Sequence, residues 1–329
     1  MSVGVGIGIG IYGANGHQIA NALTGEGLGR LVATAAFPRE SLAASQQANQ
    51  SIAPIAHYES LEQLLADPRV ELVSLCSPRR RDQAGHAIQA LRAGKHVYAE
   101  KPCAMDEADL DAILLAARET GRLFHEMAGT AFEQPYFAMR QIVREGRIGK
   151  VVQVIAEKSY AYHDGRPQDE DVDGGLIGQN AIHAVRFVEH VAGMRIRAVE
   201  AMETTFGNPI AGGGLRMAAN LMLELENGGL ASITANYLNT RGSGVWGDES
   251  LRIRGTLGVV ESIRGGTDTR LVIGDTNHGK VDTSAPGFDY LQTYLQTIAG
   301  QGEMPISLEE ELSPTRWVIR AKRKAGRRK

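Results

Sequence analysis

The chain is poor in aromatic residues and in cysteine. Phe, Trp and Tyr together make up 5% of its 329 residues, and there are two cysteines, Cys76 and Cys103. Without a CxxC pair they supply neither a disulfide framework nor a zinc site, and no metal is expected. Cys76 falls inside an apolar run at 70–76, where it reads as a small buried hydrophobe. No stretch of about 18 or more apolar residues occurs, which argues against a membrane span. The glycine-rich start MSVGVGIGIGIYGANG is apolar enough for a signal-peptide core, but no Lys or Arg precedes it. Its alternation has the period of a strand, and the expected setting is cytoplasmic. Strong charge is lacking too: 35 Lys and Arg face 38 Asp and Glu. Six of those cations (Lys322, Arg323, Lys324, Arg327, Arg328, Lys329) lie in the last eight residues, so the body is acidic and unsuited to nucleic acid. The basic tail reads as a solvated end.

What is abundant is glycine, 39 residues or about 12% against about 7% in average proteins. The glycines sit among Val, Ile and Ala with no three-residue period, which excludes collagen and low-complexity disorder. At roughly 100–200 residues per domain, two domains are expected. Up to residue 125, β-branched runs (5–12, 31–36, 70–76, 96–99, 123–125) alternate with helical stretches (16–24, 40–49, 61–66, 82–93, 107–120). Asp106 is the N-cap of the last helix and Gly121 its C-terminal stop. This alternation predicts an α/β fold with a doubly wound parallel sheet, a Rossmann dinucleotide-binding domain over 1–125. From 126 to 329 the rhythm changes. Helices are expected at 135–145 and 176–191, a long strand at 151–162, then strands at 198–205, 215–225, 230–237, 250–253, 259–262 and 270–273. Glu226-Asn227-Gly228-Gly229 is a hairpin turn. This half reads as an α+β domain with a large, mostly antiparallel open sheet. Its uncovered face predicts a homo-oligomer, a dimer or tetramer.

The pattern G-x-G-x-x-G occurs at Gly8, Gly10 and Gly13, but the first two fall inside the strand, where small residues admit a close-packed helix. The phosphate turn is expected at Gly13-Ala14-Asn15-Gly16-His17-Gln18, opening a helix. Asn15 stands where a second glycine is usual, and Gln18 where a third Gly or Ala is usual. After the second strand, Phe37 and Arg39 occupy the ribose position. No carboxylate is there for a 2′-hydroxyl, whereas Arg39 suits a 2′-phosphate, which favours NADP over NAD.

The segment Ala93-Gly94-Lys95-His96-Val97-Tyr98-Ala99-Glu100-Lys101-Pro102 resembles the Gfo/Idh/MocA oxidoreductases. The likeness extends through 61–68, 147–151 and the helix from Gly174-Gly175-Leu176 to His183. The resemblance implies hydride transfer between a nicotinamide cofactor and a carbinol carbon of a sugar or inositol-like polyol. It places Ser77, Pro78, Glu100, Lys101 and Pro102 at the cofactor, Lys101 also at the reacting oxygen, and a cis bond before Pro102. Tyr160, Tyr162, His163, Arg166, Gln179, Asn180 and His183 then border the carbohydrate. Hydride leaves a carbinol carbon as its hydroxyl proton is taken, so a base near neutral pKa is needed. His183 is the candidate, with Lys101 stabilising the developing alkoxide. His190 has no third ligand beside it and reads as structural.

The chain departs from that family's pattern in three places. Gln179 replaces a usual Asp, Arg186 a second, and Pro78-Arg79-Arg80-Arg81-Asp82 replaces Pro-Asn-x-x-His. The arginines oppose a helix dipole, which is consistent with contact to the cofactor or an acidic substrate. The missing Asp leaves open an enzyme that retains NAD and oxidises transiently before elimination or hydrolysis. A nicotinamide-binding sensor without turnover is the rival of a different class. Short-chain dehydrogenase, hydrolase-elbow and Walker A motifs are missing.

Overall fold

The computed structural model describes residues 6–23, 27–42, 54–127 and 129–327. They form two compact units. The first contains 1–127, 171–173 and 290–313, and the second 128–170, 174–289 and 314–329. The segment 290–313, expected in the second half, therefore belongs to the first. Its helix Tyr290–Ile298 supplies Tyr294, fully buried, whose hydroxyl donates to the Val97 carbonyl at 2.9 Å.

The first unit is built on β1 (Ile7–Tyr12), β2 (Gly29–Ala35), β3 (Ala56–Tyr58), β4 (Leu72–Leu75), β5 (His96–Glu100) and β6 (Phe124–Met127). They lie in the order β3-β2-β1-β4-β5-β6, every pair parallel. In β1 the side chains of Ile7, Ile9 and Ile11 enter the core from one face. On the other face a Cβ on Gly8 would lie 1.8 Å from the Arg69 carbonyl oxygen, and one on Gly10 2.9 Å from Leu64. These two glycines thus serve close packing against 61–70, as their place inside the strand predicts. Helix Glu107–Thr120 starts where the Asp106 carboxylate accepts from the Asp109 N–H at 2.9 Å and stops at left-handed Gly121. Strand β3 is too short to show in the sequence pattern. Where the helix 40–49 is expected, the chain makes a single turn at Arg39–Ser41 and is extended at Leu42, and 43–49 lie outside the described residues.

The second unit holds β7 (Val151–Ala161), β8 (Ile196–Thr204), β9 (Ala218–Leu225), β10 (Leu230–Asn239), β11 (Gly247–Gly255), β12 (Gly258–Ile263), β13 (Asp268–Ile273) and β14 (Thr276–Lys280). Their order is β14-β13-β12-β11-β7-β10-β9-β8, antiparallel except for the central β7–β10 pair. The Glu226–Gly229 turn joins β9 to β10, with Gly228 left-handed and the Asn227 side chain accepting from Gly229 N–H. One sheet face is covered by a helix that runs from 177 to 191. It is α-helical at Ile182–Arg186 and widens to π-type turns on either side. The C-terminal helix Leu308–Gly326 is not a free basic end: Lys322 pairs with Glu170 at 2.7 Å and with Glu203, and Lys324 with Glu200 at 2.6 Å.

Candidate active site

In the first unit, the chain turns at the end of β1. Gly13 (φ +73°) has no room for a side chain, since a Cβ would lie 2.0 Å from the Cys76 carbonyl oxygen. Gly16 (φ +138°) is in the same position against the Glu100 carboxylate, 2.3 Å away. The helix expected over 16–24 is reduced to a single tight turn, Ile19–Ala22. Gln18 explains the start of this difference. Its side chain turns back instead of leaving the room a glycine would, donating to the Tyr12, Gly13 and Ser74 carbonyls and accepting from the Ser74 hydroxyl at 2.6 Å. Asn15 donates to the Pro78 and Val172 carbonyls, fixing the middle of the turn. The amides of Ala14 and Gln18 meet no acceptor among the described residues, and Ala14, Gly16 and His17 are exposed. A glycine-lined turn with two amides left without acceptors fits a pyrophosphate.

Glu100, at the end of β5, is buried and accepts from His17 N–H, from His17 Nδ1 at 2.8 Å and from Lys101 N–H at 2.8 Å. Burial alone would raise its carboxyl, but Lys101, the His17 hydrogen bond and Arg80 outweigh burial and bring it down to about 2. Lys101, also buried, places Nζ 3.9 Å from the Glu100 carboxylate, and the Lys101–Pro102 bond is cis as expected. The three arginines separate. Arg79 and Arg81 lie half-exposed beside Asp171, at 3.5 and 3.9 Å. Arg80 is buried, donating to the Asn15 carbonyl at 2.6 Å and to Gln83 at 2.5 Å. Its place under the glycine turn is that of a brace. Gln83, which the sequence reading overlooked, also takes Ser77 N–H and donates to the Glu100 and Pro102 carbonyls. Ser77 is buried with its hydroxyl on His86 at 2.9 Å and its N–H on Gln83, so both groups are engaged within the protein. Past β2, Arg39 is exposed and Phe37 packs partly against the core.

In the second unit, His183 is buried and held by its Nδ1 edge, 3.3 Å from the Thr130 hydroxyl and 3.6 Å from Glu249. Glu249, on β11, sits directly across from Lys158 on β7, their charged ends 2.7 Å apart. Burial pushes the Glu249 carboxyl up, against the pull of Lys158. Neither residue was anticipated, yet both carry a signal. In β7 the inward positions are Val154, Ala156 and Lys158, and in β11 they are Glu249, Leu251 and Ile253. A charge in phase with core positions marks a buried ionic group.

Lys158 Nζ lies 4.6 Å from the Tyr160 ring centre, and Gly247, opposite Tyr160, leaves room for that ring. Trp246 stands exposed nearby, stacked with His163 at 5.9 Å. Arg166 lies over Tyr160 at 5.5 Å and over the buried Tyr237 at 3.8 Å. The Tyr237 hydroxyl bonds Gln179. So Tyr160, His163, Arg166, Gln179 and His183 join one cluster, to which Tyr237, Lys158, Glu249 and Thr130 are additions. Tyr162 is half-buried, and its side chain makes no hydrogen bond among the described residues. Asn180 is fully buried: its amide donates to the Asn236 carbonyl at 3.1 Å and ties its helix to β10, while its Oδ1 meets no donor among the described residues. Among the described residues no group of His, Cys, Asp and Glu is arranged to hold a metal. No helix there is long and apolar enough to cross a membrane.

Residues 2–127 match the model described as an oxidoreductase family with an NAD-binding Rossmann fold, and 136–261 match the GFO/IDH/MocA C-terminal domain. The chain belongs to the GFO/IDH/MocA family. It is 32% identical over 166 residues to 1,5-anhydro-D-fructose reductase of Ensifer adhaerens, covering 43% of this chain and 47% of that one. It is 24% identical over 247 residues to myo-inositol 2-dehydrogenase of Thermotoga maritima, covering 73% and 68%. The chain spans about half the length of the curated relatives it matches at 26% to 32% identity. Among solved structures, the aldose-aldose oxidoreductase of Caulobacter crescentus superposes with a TM-score of 0.80 at 20% identity, covering 98% of both chains. At that identity the GFO/IDH/MocA chain shares the fold.

Proposed function

We propose that this chain is a nicotinamide-dependent dehydrogenase or reductase acting on a carbinol carbon of a sugar or polyol. The observation that carries the reading is His183, held by Nδ1 between Thr130 and Glu249 in a cluster of aromatic and hydrogen-bonding side chains. A base must be oriented before it is useful, and one edge of the imidazole is anchored here. Glu249 supplies the carboxylate that position 179 lacks, and it stabilises the imidazolium once the ring has taken a proton. Lys101 is the cation for the developing alkoxide. A bound nicotinamide supplies the hydride acceptor or donor. Gly13 to Gln18, with Glu100 and Pro102 behind them, would hold its pyrophosphate and ribose. Exposed Arg39 after β2 supports NADP over NAD. Relatives named as acting on an anhydro sugar and on inositol support the substrate class.

The test is a panel of sugars and polyols run with NAD and with NADP, following nicotinamide absorbance, in the wild type and in His183→Asn. The variant is expected to lose about 100- to 10,000-fold in kcat while cofactor Kd changes little. Unchanged kcat removes His183 as the base, and cofactor binding without turnover across the panel favours the sensor.

We also propose that a second copy covers the open face of the large sheet. Ile155 of β7, Leu230 and Leu238 of β10, Met222 of β9 and Met202 of β8 are exposed on four adjacent strands. The register puts them on one face: Ile155 and Met222 both flank Ser232, and Met202 lies beside Asn220.

A further inference from the structure

Arg166 is the cation of the second unit's cluster whose donors are left unspent. Its guanidinium is half-buried and stacked 3.8 Å from the centre of the Tyr237 ring, with Tyr160 5.5 Å away. Stacking uses the face of a guanidinium and leaves its in-plane N–H donors unspent. Among the described residues no carboxylate, carbonyl or hydroxyl accepts from them, and Nε is buried with no acceptor. Burying a donor without an acceptor is costly, and more so for a charged group. The neighbouring cation is placed differently, because Lys158 has the Glu249 carboxyl group 2.7 Å away. Among the described residues, Arg166 is left in this cluster with no carboxylate beside it.

The contacts also close a circuit. Arg166 stacks on Tyr237, and Tyr237 bonds Gln179, one helical turn before His183. His183 faces Glu249, Glu249 binds Lys158, and Lys158 lies on Tyr160, which returns to Arg166. The unspent donors therefore belong to the ring of side chains that includes the candidate base.

We infer that Arg166 receives a carboxylate of the substrate, so that the preferred substrate is a sugar acid rather than a neutral sugar. This rests on the carbohydrate reading above. A planar carboxylate matches one guanidinium fork by two parallel hydrogen bonds. A phosphate dianion carries one more negative charge than the guanidinium offsets. Arg166 is in this sense a specificity-determining residue that orients the ring by its acid group and leaves the carbinol end for His183.

The experiment measures kcat/KM for a neutral hexose, its hexuronate and its hexose phosphate in wild type, Arg166→Gln and Arg166→Lys. The wild type is expected to favour the hexuronate over the hexose. That ratio should fall about 10- to 100-fold in Arg166→Gln, mainly through KM, and be partly restored in Arg166→Lys. A wild type indifferent to the carboxylate, a ratio unchanged in Arg166→Gln, or a preference for the phosphate overturns the assignment. Hexuronate binding followed by calorimetry separates this inference from the dehydrogenase reading. Binding to wild type and not to Arg166→Gln, with no nicotinamide reduced, upholds the acid site and removes the dehydrogenase. Turnover of neutral sugars with no such binding does the reverse.

Discussion

Glu100 shows how a single side chain ties the glycine turn to the lysine beside it. Its carboxylate is wholly enclosed, and the amide of His17 and that of Lys101 both point into it. Folding lowers its pKa from 4.5 to about 2 in spite of burial, through Lys101, His17 and Arg80. A carboxyl shifted in this direction contributes stability that is complete above its unfolded pKa and is lost as pH falls toward its folded one. Wild type is accordingly expected to lose up to about 3 kcal/mol between about pH 5 and pH 2. Glu100→Gln should be less stable at neutral pH and show a shallower acid limb in urea unfolding. Parallel pH dependences would mean that another group governs the acid limb. The Glu-Lys-Pro run was visible in the sequence. That its Glu braces the glycine turn was not, because the partners lie 83 positions apart in the chain.

At the scale of elements, caps and turns were the most legible features. Asp106, Gly121 and the Glu226–Gly229 hairpin act through the next few residues, so local chemistry settles them. The helix after β1 was the least legible, since it is replaced by a turn in which Gln18 bonds backbone carbonyls of β1 and β4. The turn makes a sharp prediction. Gly16→Ala places a methyl group against the Glu100 carboxylate at a positive φ that alanine rarely adopts. It should cost about 1–3 kcal/mol and weaken cofactor binding at least tenfold. Thermal melting and cofactor titration measure the two effects. A variant with wild-type Tm and Kd would show that the turn tolerates side chains and that Gly16 does not set it. The π-type turns on either side of Ile182–Arg186 are a further element the sequence hides, since an extra residue in a helical turn leaves no clear periodic mark.

For the whole molecule, the two-part plan followed from a change of rhythm near residue 126, and both sheets fall on their own sides of it. The return of 290–313 to the first unit did not follow, because that segment has no strand and its contacts are set by Tyr294 and Glu311 reaching residues far back in the chain. The open sheet face carries the assembly prediction. A charge at the centre of an interface costs far more than on a free surface. Leu238→Lys combined with Met222→Lys should therefore shift the protein from oligomer to monomer by light scattering with its fold retained by circular dichroism. An unchanged mass would place the interface elsewhere or leave the chain monomeric.

Most strands and helices, the two glycines of the turn, the Glu-Lys-Pro run and His183 on its helix are legible in the chain alone, because each depends on periodicity, backbone freedom or residue type over short distances. Which groups complete them depends on the assembled fold. Glu249 reaches His183 across 66 positions, Lys158 reaches Glu249 across 91, and Arg166 meets Tyr237 across the sheet. Such pairings have no local signature. Strand register and side-chain direction create them, and they exist only once the sheet is assembled.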